Sequence, residues 1–158
     1  MNIIAAITII LSIVSDQASK FWAAYTLKNG DSIKILGNFL RFTYAENKGA
    51  AFSILQNQRM FFLIITVVML IFLGYIYFKT KNISKMSKLS IAMITGGAIG
   101  NFIDRFRLGY VIDFIDVRFG IFYNFPIFNI ADSFIVCGTI LMIILILFNK
   151  FETSERNE

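Results

Sequence analysis

MFFLIITVVMLIFLGYIYFKTKNISKMSK, residues 60–88, joins nineteen uncharged residues to a loop that carries four lysines and no acid. The apolar part, Met60 to Phe78, has the length of about 20 residues that takes a helix across roughly 30 Å of hydrocarbon at a rise of 1.5 Å per residue. By the positive-inside rule, Lys79, Lys81, Lys85 and Lys88 hold the following loop in the cytoplasm.

Three further windows meet the same length test: about Ile3 to Tyr25, about Leu89 to Arg105, which is short and glycine-rich, and about Phe128 to Phe148. With four spans, both termini lie on the lysine side, including the polar tail Asn149 to Glu158. The segments Thr26 to Arg59 and Phe106 to Ile127 then face outward. The first window has no basic n-region and no clear small-residue cleavage site, so it reads as an uncleaved helix rather than a signal peptide. Trp22 and Tyr25 near its far end suit an interfacial aromatic anchor. Composition agrees, with 57% hydrophobic residues, 18 Phe and a mean hydropathy of +0.70. The net charge of +5 is explained by topology. Nucleic-acid binding needs basic residues gathered on one soluble face, and here long apolar runs separate them.

The first outward segment has a different period. Leu40, Phe42 and Tyr44 alternate with Arg41 and Thr43, and Asn47-Lys48-Gly49 offers a turn before Ala50 to Leu55. This pattern predicts a small sheet over about residues 31–58, resting on the membrane surface between the first two helices, where a strand edge can pair with an extended peptide. With no internal repeat and no low-complexity linker, residues 1–158 form one domain. The expected fold is an all-α membrane protein of four transmembrane helices with this small extracytoplasmic sheet.

The chain contains no His, which excludes the Ser-His triad, the Cys-His pair and His-based metal sites. Cys137 is the sole cysteine. It cannot form an intrachain disulfide, and in the apolar run Ile135 to Phe148 it reads as a small buried hydrophobe.

Asp16, Lys20, Asp104, Arg105 and Asp132 fall within or at the ends of apolar spans, where an ionised group costs roughly 2.5–3.5 kcal/mol on insertion scales. Asp16 and Lys20 are spaced i, i+4 and can pair on one helix face; Arg105 can reach the interface. Ala92, Gly96 and Gly100 form a small-xxx-small stripe for close helix packing. Gly97, Asn101 and Arg105 form the next stripe, whose amide and guanidinium can bind a peptide carbonyl or a lipid head group.

Asp113, in Tyr110-Val-Ile-Asp-Phe-Ile115, and Asp132, after Phe125-Pro-Ile-Phe-Asn-Ile-Ala131, lie at the same membrane depth. Pro126 can open a helix, and Asn129 shares a face with Asp132 at i, i+3, where its amide can orient the carboxyl. Two carboxyls brought together beside apolar walls share one proton and supply an acid and a base at one pH. Asp116 competes with Asp113 for this role, since spacing alone does not separate them.

Five stretches together resemble the lipoprotein signal peptidase family: Asp16-Gln-Ala-Ser-Lys20, Glu46-Asn-Lys-Gly-Ala-Ala-Phe-Ser53, Gly96-Gly-Ala-Ile-Gly-Asn-Phe-Ile-Asp-Arg105, Val111-Ile-Asp-Phe-Ile115 and Phe125-Pro-Ile-Phe-Asn-Ile-Ala-Asp-Ser133. They occur in the family's order and cover most of the chain. The resemblance implies an aspartyl endopeptidase of the bacterial cell membrane, active near its outer surface. Such an enzyme removes the signal peptide of a diacylglyceryl-modified prolipoprotein, cutting on the amino side of the lipidated cysteine. It further implies that Asp113 and Asp132 are the catalytic pair and that Asp16, Lys20, Asn47, Gly49, Asn101, Arg105 and Asn129 shape the pocket or contact substrate. The outer sheet corresponds to the cradle on which the lipoprotein lies. Membrane lipids and globomycin-type inhibitors are implied partners, the protein is expected to be monomeric, and neither metal nor cofactor is called for.

From the residues alone, two other classes compete. Intramembrane acids and a lysine also mark proton- or ion-coupled transporters, although four spans without a repeat suit that class poorly. Asp104, Asp113 and Asp116 around magnesium would suit a phosphotransferase, but no phosphate-cradling motif accompanies them. The lysine asymmetry predicts that a cysteine placed at Ser84 stays unmodified by a membrane-impermeant thiol reagent in intact cells; labelling there would reverse the topology.

Overall fold

The computed structural model describes residues 3–49, 55–119 and 123–153. Four helices are present among them: α1 (Ile3–Leu27), α2 (Arg59–Lys79), α3 (Lys85–Leu108) and α4 (Ile130–Leu147). Strands β1 (Ile33–Leu36) and β2 (Leu40–Asn47) lie between α1 and α2, and β3 (Val111–Phe119) and β4 (Tyr123–Asn124) between α3 and α4.

Residues face the reverse of the way they do in a soluble bundle. On α1 the buried stripe is Ala5, Ser12, Asp16, Lys20, Ala23 and Leu27, while Ile3, Ile10, Leu11, Val14 and Phe21 are exposed. Only Leu73 is buried on α2. Large exposed apolar surface beside a small polar interior suits hydrocarbon as the solvent.

α1, α2 and α4 are long and apolar enough to cross a membrane. Although α3 has 24 residues, it falls outside that class, and it runs longer than the expected 89–105. It packs against all three other helices and buries Ser90, Ala92, Gly96, Gly97, Gly100, Asn101 and Asp104. Because its neighbours cover it, its own side chains need not be lipophilic. Its ends have local causes. The Ser84 hydroxyl accepts from the Ser87 N–H at the start, and Gly109, at φ 86°, supplies the left-handed residue that ends it.

Glycines let α3 approach its neighbours closely. A Cβ on Gly96 would overlap Ser12, and one on Gly97 would overlap the backbone carbonyl oxygen of Ala131. α3 therefore touches α1 on one side and the first turn of α4 on the other, backbone against backbone.

The sheet is antiparallel in the order β1-β2-β3-β4. It is not confined to the connection between the first two helices, because β3 from the second connection pairs along β2, with Phe42 opposite Ile115 and Ala45 opposite Asp113. Trp22 of α1 stands edge-on to Phe42 and Phe114, 5.4 and 6.2 Å between ring centroids. It braces the sheet against the bundle rather than serving only as a membrane anchor. The stretch Ala50 to Leu55 expected to follow the turn lies outside the described residues except at Leu55.

Gly97→Ala must push apart α3 and α4 and is expected to cost about 1–3 kcal/mol, read as a lower thermal-unfolding midpoint in detergent. Gly74→Ala meets nothing within 4 Å and should gain about 0.5–1 kcal/mol from replacing a helix-interior glycine.

Candidate active site

A short bridge brings the two segments of the site together. Ile115 N–H donates to the Phe128 carbonyl at 2.8 Å, and Phe128 N–H returns a bond to the Ile115 carbonyl at 3.1 Å. The antiparallel pairing runs Asp113 back alongside the start of α4. There Asn129, rather than Pro126, sets the helix boundary. Its side-chain oxygen accepts from the Asp132 N–H at 2.9 Å, and its own N–H donates to Asp132 Oδ2 at 3.2 Å, a reciprocal capping box.

Asn129 then reaches across to the other acid, its Nδ2 donating to Asp113 Oδ1 at 2.6 Å. Asn47, the last residue of β2, donates to Asp113 Oδ2 at 3.0 Å and accepts the Gly49 N–H at 3.0 Å. Asn101 of α3 donates to Asp132 Oδ1 at 2.7 Å. Arg105, one turn further on, binds the Gly49 carbonyl at 3.1 Å and lies 4.7 Å from the centre of the Phe62 ring. The peptide carbonyl it holds is thus one of the chain's own.

Behind these residues is an ionic cluster. Lys20 Nζ lies 2.9 Å from Asp16 Oδ2 and 3.1 Å from Asp104 Oδ2, and it donates to Asn101 Oδ1 at 2.9 Å. Asp16 also accepts the Ala131 N–H at 2.9 Å, one of the free donors in the first turn of α4. Asp104 accepts the Ile112 N–H at 3.0 Å, tying α3 to β3. Gln17 bonds Asp16, Asp104 and the Gly100 carbonyl at 3.0–3.2 Å. Neither Gln17 nor the structural part played by Asp104 emerges from the sequence. The available signal is polarity: a Gln beside Asp16 in an apolar span needs a partner.

Asp113 and Asp132 both line a cleft of about 860 Å³, as do Asn47, Gly49, Asn101 and Arg105. Asp16 and Lys20 lie behind it. Asp116 is elsewhere. Three residues along the strand from Asp113, it falls on the opposite face, where Arg118 grips it at 2.8 Å and Thr43 donates to it at 3.1 Å. Among the described residues no group of three or more acids or Cys is placed to hold a metal ion; Asp104, Asp113 and Asp116 have separate partners. Cys137 departs from expectation. It is exposed and lines the cleft, because the turn of α4 that carries Ser133 and Asp132 turns the same face toward the opening.

The Asp113 carboxyl, 2% exposed, is pushed up to about 7, first by burial and then by the charge on Asp132, against the amides of Asn47 and Asn129. A buried acid and a part-exposed one, bridged by amides at an open cleft within a helical bundle with an apolar exterior, match the arrangement of a membrane-bound hydrolase of the aspartic type.

The family model described as Signal peptidase (SPase) II matches residues 8–148. A lipoprotein signal peptidase of Clostridium tetani is 43% identical over 141 residues, spanning 89% of this chain and 90% of the relative. One from Staphylococcus aureus strain JH9 is 44% identical over 147 residues, spanning 92% and 87%. Among solved structures, a bacterial membrane enzyme obtained by the in meso method at 2.3 Å superposes with a TM-score of 0.86 at 40% identity, covering 98% of this chain and 93% of that one. A second, at 1.9 Å, gives 0.81 at 42% identity, covering 90% and 92%. The chain belongs to the signal peptidase II family of aspartic peptidases, whose activity is removal of signal peptides from prolipoproteins.

The raised Asp113 carboxyl gives a pH signature. Between the ordinary value of 3.8 and about 7, the folded protein binds more protons than the unfolded chain, so this group's contribution to stability falls as pH rises through that window. Asp113→Asn should remove that part of the decline, measured as unfolding midpoints in detergent from acid to neutral pH.

Proposed function

We propose that Asp113 and Asp132 are the catalytic pair of an intramembrane endopeptidase that cuts diacylglyceryl-modified prolipoproteins on the amino side of the lipidated cysteine. The observation that carries this reading is the single residue Asn129, whose side chain bonds the carboxyl of Asp113 and caps the backbone of Asp132 at the edge of one cleft. The ionised member takes a proton from water as the water oxygen attacks the scissile carbonyl. The protonated member gives its proton to the carbonyl oxygen. The tetrahedral intermediate collapses when a carboxyl returns a proton to the leaving nitrogen, freeing the amino group of the lipidated cysteine and the carboxyl end of the signal peptide.

Residues 1–158 act as one membrane domain with α3 as a fourth span enclosed by the other three. Both termini are cytoplasmic, and the sheet and cleft lie at the outer surface. Lysines at the opposite end of α3 support that orientation. Phe125, Ile127 and Val136 give the cleft an apolar wall, against which acyl chains continuous with the bilayer can lie while the peptide meets the carboxyls. Asn47, Asn101 and Asn129 orient the acids, Gly49 and Arg105 shape the part of the cleft where the substrate backbone lies, and Asp16 with Lys20 supports the acids from behind. The same cleft admits globomycin-type cyclic peptides, and a single chain supplies every residue assigned.

Asp113→Asn and Asp132→Asn should each lower cleavage of a lipidated prolipoprotein by at least about a thousandfold, scored by gel shift. The double variant should be no worse than either, since residues that act as a unit give non-additive losses. Asp116→Asn should keep most activity. Substantial cleavage by a folded single variant at 113 or 132 would move the chemistry elsewhere.

A further inference from the structure

Each oxygen of the two acids accepts a bond from a nitrogen whose direction can be established. Asn47 Oδ1 receives the Gly49 N–H, and Asn129 Oδ1 receives the Asp132 N–H. Backbone N–H groups only donate, so both amides must turn Nδ2 toward Asp113. Asn101 Oδ1 receives the ammonium of Lys20 at 2.9 Å, also a donor only, so Asn101 must turn Nδ2 toward Asp132 Oδ1, 2.7 Å away. If Asn101 were reversed, two oxygens would face each other, and Asp132 would need a proton to bond Asn101.

Hydrogen-bond number does not separate the acids, but their surroundings do. Asp132 is the third residue of α4, where the helix dipole favours an anion, and it is part-exposed to the cleft. Asp113 sits on a strand, 2% exposed. The charged groups around the pair are Lys20 with its partner Asp16 on α1 and Arg105 and Asp104 on α3, with Glu46 of β2 and Lys48 just after it at the cleft wall.

We propose that the resting proton of the pair sits on Asp113, the acid, and that Lys20, acting through the amide of Asn101, is the positioning residue that keeps Asp132 as the base. This rests on the reading of Asp113 and Asp132 as the catalytic pair. The upward push on Asp113 agrees with it. In the reaction Asp132 accepts the water proton, and Asp113 donates to the carbonyl oxygen.

Two measurements test the proposal. Difference infrared spectra at about pH 5, below the raised value of Asp113, should lose a protonated-carboxyl band in Asp113→Asn and keep it in Asp132→Asn; the reverse pattern overturns the assignment. For Lys20, the readout is the pH profile of kcat. In Lys20→Gln the amide of Asn101 is no longer held by a donor-only group, and the acid limb should move toward neutral pH by about one unit with KM unchanged, whereas Lys20→Arg keeps the limb in place. A purely structural lysine would lower activity equally at every pH, and an unmoved limb in folded Lys20→Gln overturns its role. If Lys20→Gln does not fold, Asn101→Leu, which removes the donor to Asp132 and leaves Lys20 its two carboxylates, carries the same expectation. Efficient cleavage by Asp113→Asn or Asp132→Asn would instead refute the pair itself, a result distinct from either failure above.

Discussion

The ammonium of Lys20, 2% exposed and shared between Asp16 and Asp104, is the contact on which the arrangement of the site depends. Burying a charge is expensive unless it is paired and hydrogen-bonded. Here one cation answers two anions: the other oxygen of Asp16 accepts the Ala131 N–H of α4, while Asp104 accepts the Ile112 N–H of β3 on the oxygen that faces Lys20 and the Gln17 amide on its other. Removing one partner of a buried pair typically costs 3–5 kcal/mol, because the other is left uncompensated. The cluster ties α1, α3, β3 and α4 together at one point, directly behind the acids. Its energetic value is local; its structural value is that four elements carrying parts of the site cannot shift independently.

Close approach of the helices follows from the same requirement. Lys20 reaches Asn101 only if α1 and α3 touch, and Gly96 and Gly100 leave room for Ser12 and Asp16 at that contact. The helix that bears most of the polar groups is the one enclosed by the other three, and the helix with a single buried residue, α2, is with α4 the most apolar of the outer ones. Position in the bundle sets what each helix can carry.

Much of this was legible from residue pattern. Long apolar windows mark α1, α2 and α4, and the expense of ionised groups in hydrocarbon singles out Asp16, Lys20, Asp104 and Asp132. β3 was harder to read. Val111 to Phe114 are buried on both faces of the strand, so the run shows no alternation and resembles interfacial apolar sequence rather than a sheet strand. Asp113 and Asp116 were inseparable for a related reason: spacing along a chain does not reveal which face of a strand meets the cleft. The position of Cys137 depends on the direction in which α4 opens, which is set by tertiary packing. Asp104 lacked a role because its partner Ile112 lies beyond a helix end and a glycine turn.

Asparagine recurs at the site because it can both accept and donate at fixed geometry. An ammonium meets Asn101 at its oxygen and a carboxylate at its nitrogen, so a donor on one side becomes a donor on the other, displaced by the width of an amide. A lysine that turned from Asp16 and Asp104 to bond Asp132 directly would lose its carboxylate partners. A carboxyl in place of the amide would accept from Lys20 equally well but present an oxygen to Asp132, where two carboxylates would repel. A hydroxyl is too short to span the two. The amide thus transmits the direction of a buried cation to a part-exposed acid while the cation stays behind the wall, and this separation lets water reach the acid without reaching the charge cluster that holds the bundle together.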